Sequence, residues 1–288
     1  MNLCGIVLTF NEKDNLPRCL DSLRALGCPV VVVDSGSTDG TKEIALRRGS
    51  VVLEHPFETH AKQWAWALAN LPVDAEWIFA LDADQYLTEE LTHALATFFR
   101  TCAPDIEGCY VRRRQVFRGK WIKHGGYYPK YLLKIFRRKK VELDLNDLLD
   151  HHFYVPGKTT QLPYDLIEQN SKEDDIGFWI QKHNRYSQLM AQEELLRNDR
   201  TAVSPIRPSL LGNPDQQILR LKQIWRRLPL FVRPSIYFFY RYILRFGWMD
   251  GKQGFIFHFL HAFWFRLLVD IKIDELRSES GNRAPTTA

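Results

Sequence analysis

The N-terminal part of the chain alternates short apolar runs with amphipathic segments, and this alternation restricts the fold more than any other feature. Leu3–Thr9 predicts a buried strand, and residues 14–26 follow with apolar side chains on one helix face. Three more strands are predicted at residues 30–33, 51–53 and 76–81, with helices at residues 41–48 and 60–71 between them. Such alternation predicts an α/β domain with a mainly parallel sheet.

Polar residues directly follow three of the predicted strands. In open α/β sheets, ligands bind outside the carboxyl ends of parallel strands, where these ends meet. We therefore expect one ligand site built from all three segments. Its residues would be Thr9, Phe10, Asn11, Glu12, Asp34, Ser35, Asp82, Ala83 and Asp84.

Two carboxylates separated by one residue, Asp82 and Asp84, follow the apolar run that ends at Leu81. This spacing allows one carboxylate to meet a hard divalent cation, Mg²⁺ or Mn²⁺, while the other holds its water or a ribose. A diphosphate would complete the coordination of the cation. The alternative is that both aspartates cap a helix that starts near Thr88.

The second strand ends at Asp34, which is followed by small residues that permit a tight turn around a ligand. A carboxylate at this position can accept the imide proton of a uracil ring. A turn at Asp39-Gly40, with Thr38 or Asp39 as a helix N-cap, explains the same residues without a ligand.

Together the three segments resemble the strand ends of family 2 glycosyltransferases. That family has T-x-N-E, V-D-S-G-S-T-D-x-T and L-D-A-D motifs, matched here by Thr9, Asn11 and Glu12, by residues 33–41 and by residues 81–84. The resemblance implies that Asp34 contacts the base, Asp82 the ribose or a metal-bound water, and Asp84 the metal. It implies an α/β fold of the GT-A type, a Rossmann-type nucleotide-sugar-binding domain with a mixed sheet, here with a C-terminal helical, aromatic-rich extension.

Two later segments, residues 117–129 and 133–138, are similar to the G-R-W-x-x-H-G-G-x-x-P and R-L-F-R-R motifs of lipopolysaccharide-core and exopolysaccharide glucosyltransferases. In that subgroup a His-Glu pair follows, whereas this sequence has Asp150-His151. Inverting sugar transfer needs a base that removes the proton of the acceptor hydroxyl. Asp150 or His151 is the candidate, and histidines in such positions also serve structural roles.

Basic and aromatic side chains supply the remaining candidates for the site. Lys62 and the Arg137-Arg138 pair would neutralise a diphosphate, or they are solvated surface charges. Acceptor or sugar contacts are predicted for Trp121, His124, Tyr127 and Tyr128, although such aromatic residues also pack in cores.

The region from residue 225 to residue 270 is rich in aromatic side chains interspersed with arginines. Helices that lie in a membrane interface have this composition, because apolar burial and attraction to anionic lipid act together. The alternative is a helical hairpin, broken at residues 247–254, that packs on protein, including a second copy in a homodimer. The longest run without charged residues spans residues 253–265, so we expect surface contact and no spanning helix.

Length and composition set the domain boundaries and exclude other classes. In a chain of 288 residues we expect a glycosyltransferase domain over 1–170, divided into a nucleotide-binding half (1–107) and an acceptor half (108–170). A helical extension over 171–277 and a disordered tail over 278–288 would follow. A net charge of +5 is too small to indicate a nucleic-acid partner. The five cysteines form no C-x-x-C pair, which favours a reducing compartment.

The favoured hypothesis is therefore an inverting transferase that moves a hexose from a nucleotide-sugar to a lipid-linked saccharide acceptor. The start of the chain lacks the basic region of a signal peptide, so we expect a cytoplasmic, peripheral protein at the inner face of the membrane. A nucleotidyltransferase would need a Gly-rich loop after its first strand, but residues 8–15 contain no glycine. A transferase-like protein without activity stays open, because the His-Glu pair is missing.

Overall fold

The computed structural model describes residues 2–149, 152–198 and 206–282. The chain forms two compact units. We call Met1–Lys123 with Tyr127–Asp174 the sheet unit, and His124–Gly126 with Asp175–Ala288 the helical unit. The sequence did not indicate that the short segment 124–126 would belong to the helical unit.

The sheet unit is built on one large mixed sheet. Its strands are β1 Leu3–Thr9, β2 Val30–Asp34, β3 Val51–Glu54, β4 Trp77–Asp82, β5 Gln85–Leu87, β6 Ile106–Phe117, β7 Lys120–Trp121, β8 Lys130–Arg137 and β11 Lys158–Glu168. β9 Glu142–Leu143 and β10 Phe153–Tyr154 form a separate pair. The strand order is β3-β2-β1-β4-β8-β6-β11-β5, with β7 paired to β6.

Strand directions divide this sheet into two parts. The strands β3, β2, β1 and β4 run parallel, as the alternation predicted. β8 is antiparallel to both β4 and β6, and β5 is antiparallel to β11 at the edge. The predicted α/β fold with a mixed sheet is confirmed, and the change of direction at β8 places the acceptor-half strands beside β4.

Helices cover both faces of the sheet unit. They are α1 Leu16–Arg24, α2 Thr41–Arg47, α3 His60–Ala69 and α4 Glu89–Thr101, followed by a 3-10 turn at Ser171–Asp174. Alternate residues of β1 point to opposite faces, so Leu3 and Val7 join the core beside α1, whereas Ile6 joins the core that contains Trp64 of α3. A central strand buried on both faces is held firmly, and so are the loops at its carboxyl end.

The helical unit consists of helices interrupted by irregular turns. Its α-helices are α5 Ile176–Asn198, α6 Pro214–Arg226, α7 Arg233–Phe239, α8 Gly251–His258 and α9 Phe265–Asn282. π-helical segments occur at Tyr240–Leu244 and Phe259–Trp264, and a 3-10 turn at Gly247–Asp250. α9 continues into the segment expected to be a disordered tail, and residues 283–288 lie outside the described residues.

One stretch of the helical unit, Gly247–Glu279, is long and apolar enough to cross a membrane by length and composition. The run without charged residues had suggested no such stretch. Of its most apolar window, 39% is buried inside the fold. Whether this stretch contacts lipid or packs against protein therefore depends on which of its side chains face outward.

Candidate active site

The loops after β1 and β2 are joined by hydrogen bonds between each backbone and the other loop's side chains. The amide of Asn11 donates to Oγ of Ser37 (2.8 Å), and the amide of Thr38 donates back to Oδ1 of Asn11 (2.9 Å). The amide of Glu12 donates to Oγ1 of Thr41 (2.8 Å). Asn11 has a φ of 53°, a conformation that asparagine tolerates better than most residues. Two of the three predicted segments therefore form one preorganised rim.

Asp34 lies at the centre of this rim and is fully buried, with 0% exposure. Its Oδ1 accepts from the amides of Gly36 (3.0 Å) and Ser37 (2.7 Å). Its Oδ2 accepts from Oγ1 of Thr9 (2.8 Å) and Oγ of Ser37 (2.5 Å). A carboxylate offers about four acceptor positions, so these bonds saturate Asp34. Its role in this structure is to shape the loop, and the predicted contact with the base stays a prediction.

Asp39 also acts within the rim. It accepts from the amide of Lys13 (3.1 Å) and from the amide of Thr41 (3.1 Å). Desolvation acts to raise the pKa of Asp39, but the hydrogen bonds from Thr41 and Lys13 outweigh it and lower the pKa. Asp39 therefore stays ionised and ties the first loop to the start of α2.

The carboxylate pair follows β4, and its first member is held by a buried lysine. Nζ of Lys134, on β8, lies 3.1 Å from Oδ2 of Asp82. The side chain of Lys134 is 5% exposed, compared with 30% for Asp82. The helix that follows, α4, is capped by Thr88, whose side chain accepts from the amide of Leu91 (3.2 Å). The alternative that Asp82 or Asp84 caps this helix is therefore wrong.

Lys134 was not among the site residues predicted from the sequence, although a signal was present. It is a lysine within the apolar strand β8, and it occupies the position of the first arginine in the R-L-F-R-R motif. A charged side chain on such a strand is rarely buried unless it has a partner. The antiparallel pairing of β8 with β4 supplies that partner.

The segment after β11 returns to the same strand ends. Nζ of Lys172 lies 2.5 Å from Oε1 of Glu12 and 3.0 Å from the carbonyl oxygen of Asn11. The amide of Gln169 donates to the carbonyl oxygen of Asp84 (3.0 Å). This segment closes the site opposite β2, and no sequence pattern indicated it, because residues 169–172 lie far from the motifs along the chain.

The carboxylate oxygens of Asp82 and Asp84, at the end of β4, are ligands that suit a hard divalent cation. In the described residues, no group of three or more His, Cys, Asp or Glu side chains comes together as a metal site. Mg²⁺ is often held by one or two carboxylates plus substrate phosphates and water, and Asp82 with Asp84 can supply those carboxylates. Cys19 lies beneath them, but burial, followed by the charges of Asp84 and Asp82, raises the pKa of its thiol. A neutral thiol does not compete as a ligand.

Two other candidates for donor contacts lie on or near α3. Ser35 accepts a hydrogen bond from Nε2 of Gln63 (3.2 Å). Lys62 pairs with Glu58 at 2.5 Å, and both side chains are more than half exposed. Lys62 therefore behaves as a surface residue in this structure, and its predicted contact with a diphosphate stays a prediction.

The acceptor half contains a cluster of arginines and aromatic rings. The guanidinium of Arg114 lies 4.4 Å from the ring centre of Trp121, whose ring meets Tyr128 edge-on at 4.9 Å. Arg112, Arg114 and the hydroxyl of Tyr128 all converge on the buried carboxylate of Asp165. Burial, and then the hydrogen bond to Asp165, raises the pKa of Tyr128.

The other two predicted acceptor residues lie apart from this pair. Tyr127 contacts Arg113, whose guanidinium lies 5.9 Å from its ring centre. His124 belongs to the helical unit, where its Nδ1 lies 2.7 Å from Oδ1 of Asp250 and its amide donates to Oδ2 (2.8 Å). The His-Gly-Gly segment therefore has a structural attachment that the sequence did not reveal.

The two candidate bases, Asp150 and His151, lie outside the described residues. The neighbouring His152 is described, and its Nδ1 lies 2.9 Å from Oδ2 of the buried Asp147. His152 thus pairs with a buried carboxylate, which indicates a structural role for this histidine. The choice of base stays a prediction.

Comparison with known proteins shows which of them have a related sequence. The model of glycosyl transferase family 2 matches residues 4–160, more than half of the chain. The chain is 27% identical over 264 residues to the lipopolysaccharide core biosynthesis glycosyltransferase LpsC of Rhizobium meliloti, covering 88% of this chain and 85% of that protein. It is 32% identical over 97 residues to an uncharacterized glycosyltransferase of Rickettsia conorii, which covers 34% of each.

A solved structure shows the same fold. The mannosyltransferase PcManGT from Pyrobaculum calidifontis, determined in complex with GDP-Man and Mn²⁺, superposes with a TM-score of 0.54 at 15% identity. The match covers 94% of this chain and 86% of that one. The predicted fold is thus confirmed together with the family: the chain belongs to glycosyl transferase family 2 and has its GT-A-like α/β fold.

Proposed function

We propose that this glycosyltransferase moves a hexose from a nucleotide-sugar, UDP-linked, to a lipid-linked saccharide that is a precursor of lipopolysaccharide or exopolysaccharide. The observation that carries the proposal is the convergence of the two joined loops, the Asp82–Asp84 pair and the two lysines at one edge of the sheet. The relative from Rhizobium meliloti, which is named for lipopolysaccharide core biosynthesis, supports the acceptor class.

The donor nucleotide would lie on the rim formed by the loops after β1 and β2. Phe10 is 57% exposed there and offers an aromatic face to a base. Asp34 keeps its oxygens for the loop, so we assign base recognition to other groups of the rim, namely Thr9, Asn11, Glu12 and Ser35. The imide contact expected of Asp34 would require it to release one of its present donors.

The diphosphate would lie between Asp84 and the lysines of the site. Asp84 would hold Mg²⁺ or Mn²⁺, while Lys134 keeps Asp82 in place for the ribose or a water. A divalent cation bound here supplies Lewis-acid stabilisation of the charge that develops on the leaving diphosphate. Lys172 adds a positive charge beside Glu12, which lowers the repulsion between that carboxylate and a phosphate.

Sugar transfer would proceed with inversion, by direct attack of an acceptor hydroxyl on the anomeric carbon. Asp150 or His151 would take the hydroxyl proton as the new bond forms. Trp121 and Tyr128 would orient the acceptor saccharide, and Asp165 fixes Tyr128 through a 2.9 Å hydrogen bond. A lipid-linked acceptor favours a position at the inner face of the cytoplasmic membrane, contacted through residues 225–270.

Thermal stabilisation by ligands tests the donor site. UDP with Mn²⁺ should raise the melting temperature well beyond the sum of either alone, and Asp84→Ala should abolish this synergy. Asp74→Ala, which removes an exposed acid of the same unit, is the matched control and should keep it. GDP and a panel of UDP-sugars identify the nucleotide and sugar. The absence of stabilisation by every nucleotide tested would overturn the donor site.

Activity is measured separately, as release of UDP from the preferred donor in the presence of lipid-linked saccharide extract. Transfer that depends on Asp84 and on the extract supports the proposal. Nucleotide binding without any transfer would identify the protein as a transferase-like binder that has lost its chemistry.

A further inference from the structure

The segment from residue 231 to residue 259, which we call the aromatic hairpin, exposes many large apolar side chains and buries several charged ones. It consists of α7, the π-helical segment Tyr240–Leu244, the 3-10 turn Gly247–Asp250, α8 and the first residue of the second π-helical segment. Its exposed large apolar side chains are Phe231, Val232, Ile236, Phe239, Tyr240, Ile243, Leu244, Phe246, Trp248, Met249, Phe255 and Phe259. An apolar surface of this extent marks an interaction site on a soluble unit.

Four of the charged or titratable side chains of the aromatic hairpin lie inside it. Arg233, Arg241, Asp250 and His258 are all buried. Nε of Arg241 donates to the carbonyl oxygen of Gly125 (2.7 Å), and Asp250 accepts from His124 through both of its oxygens. Water normally draws charges to the surface of a fold, so this arrangement indicates a surrounding that is not water.

Several backbone polar groups in the turn of the hairpin are hydrogen-bonded within the protein. The amide of Arg245 donates to the carbonyl oxygen of Tyr240 (2.9 Å), and that of Met249 to the carbonyl oxygen of Phe246 (3.0 Å). The carbonyl oxygen of Arg245 in turn accepts from the amide of Gly125 (2.8 Å). Irregular backbone enters hydrocarbon only when its polar groups are paired within protein. The segment 124–126 supplies one of the partners, although it comes from a distant part of the chain.

The charges that remain exposed on the hairpin have one sign. Arg245 and Lys252 are exposed on either side of the apolar turn residues Phe246, Trp248 and Met249. Asp250 is the single acid between residues 231 and 259, all of which are described, and it is buried. Cations flanking an apolar turn match the phosphate groups above a bilayer's hydrocarbon.

We propose that the turn of the aromatic hairpin inserts into the hydrocarbon of one leaflet of an anionic membrane, with Arg245 and Lys252 at the lipid phosphates. The occupant of the apolar surface is thus lipid acyl chain. This inference rests on the membrane contact proposed above and specifies its residues and depth, about 5–10 Å into the headgroup and acyl boundary.

Insertion from one side fits the hairpin better than crossing. Beyond Phe259, the large apolar side chains of the described part of α9 are buried or half-buried, with Ile271 the exposed exception. Asp270 of α9 is fully buried and pairs with Arg233 at 2.5 Å. A spanning helix needs about 20 predominantly apolar residues facing lipid, so the stretch Gly247–Glu279 is a packed helix whose N-terminal turn enters the membrane.

Vesicle binding at two salt concentrations tests the insertion. The full chain is sedimented with vesicles of phosphatidylethanolamine and phosphatidylglycerol at low salt and at about 1 M NaCl, where the Debye length is about 3 Å. We expect substantial binding to persist at high salt, because apolar burial is not screened. Replacement of Phe246, Trp248 and Met249 by serine should weaken this salt-resistant binding by about tenfold or more.

Two further variants separate apolar from ionic contacts. The triple variant Leu46→Ser, Leu145→Ser, Leu211→Ser removes exposed leucines elsewhere and should bind like the wild type. The double variant Arg245→Gln, Lys252→Gln should lose the additional, salt-sensitive binding that the wild type shows at low salt and keep the salt-resistant part. All variants are checked for stabilisation by UDP with Mn²⁺, which reports the sheet unit and the proposed function independently of membrane binding.

Depth is measured with brominated acyl chains. They should quench tryptophan fluorescence in the wild type more than in Trp248→Phe. Equal quenching, or salt-resistant binding that the serine variant retains, would overturn the insertion. A dimer in vesicle-free solution that the serine variant dissociates, without any vesicle binding, would instead assign the surface to a second copy of the chain.

Discussion

The sheet unit and the aromatic hairpin bury opposite kinds of side chain. In the sheet unit every residue of β1 is buried, whereas the side chains of Asp82 and Asp84 stay half-buried at the end of β4, partly in contact with solvent. In the hairpin Arg233 and Asp250 are buried, whereas Phe246 and Trp248 are exposed. Each arrangement is stable in its own surrounding: the sheet edge suits water and a charged nucleotide, and the hairpin suits lipid.

Charged side chains also differ between the two regions in how they are paired. At the sheet edge, the side chain of Asp82 stays 30% exposed although it pairs with Lys134, so that a ligand can exchange for its protein partner. In the hairpin and its neighbours, Arg233 is held by Asp270 and Glu194 with 1% exposure, and such groups are positioned permanently. Changes at the sheet edge should therefore affect chemistry more than stability, and changes in the helical unit should do the reverse.

The largest effect is expected at the base, because inverting transfer needs a group that takes the proton of the acceptor hydroxyl. Asp150→Asn should lower the rate of transfer by about 10²–10⁴-fold while leaving stabilisation by UDP with Mn²⁺ unchanged. His151→Gln is the paired variant, measured by initial rates on the same acceptor. Full activity in Asp150→Asn with loss in His151→Gln would assign the role to the histidine.

Breaking the buried ion pair should have the next largest effect, this time on stability. Arg233→Met leaves Asp270 and Glu194 without their buried partner, which should lower the free energy of unfolding by about 3–5 kcal/mol. Arg48→Met removes an exposed pair with Asp21 and should cost no more than about 1 kcal/mol. Urea unfolding followed by circular dichroism measures both. Similar losses in the two variants would contradict the distinction between permanent and exchangeable charges.

Much of the sheet unit could be predicted from local patterns. β1 runs from Leu3 to Thr9 as predicted, because an apolar run between polar segments defines a buried strand without further information. The three polar strand ends were found for the same reason. Lys134 and Lys172 were missed, since their importance comes from the pairing of β8 with β4 and from the return of the chain after β11, which are long-range contacts.

The aromatic hairpin of the helical unit was harder to predict, because it exposes apolar side chains and buries charged ones. Aromatic density identified residues 225–270 as unusual, but composition alone could not tell which side chains face outward. The role of Gly125 was also hidden: a sugar contact was predicted for His124 and stays a prediction, but nothing in the sequence indicated that the carbonyl oxygen of Gly125 accepts from Arg241 of the hairpin.

Glycine at position 125 should matter more than glycine at position 126, although both have positive φ. A Cβ at Gly125 would lie 2.1 Å from Cε1 of His258, whereas one at Gly126 would lie 3.7 Å from Nε of Arg245. Gly126→Ala should cost about 1 kcal/mol from backbone strain alone. Gly125→Ala should cost about 2–4 kcal/mol, because it adds overpacking beside a buried ring. Urea unfolding compares the two, and equal losses would show that the ring moves away freely.

The smallest effect is expected from the lysine at the sheet edge, and it has opposite signs for two ligands. Lys134→Gln removes a positive charge 3.1 Å from Asp82, so Mn²⁺ should bind the carboxylate pair about 3- to 10-fold more tightly. UDP without metal should bind severalfold more weakly, because a cation near its phosphates is lost. Lys134→Arg keeps the charge and should change neither affinity as much. Titration calorimetry measures each ligand alone, and a fall in both affinities would mean that Lys134 holds the fold of the site and not its charge balance.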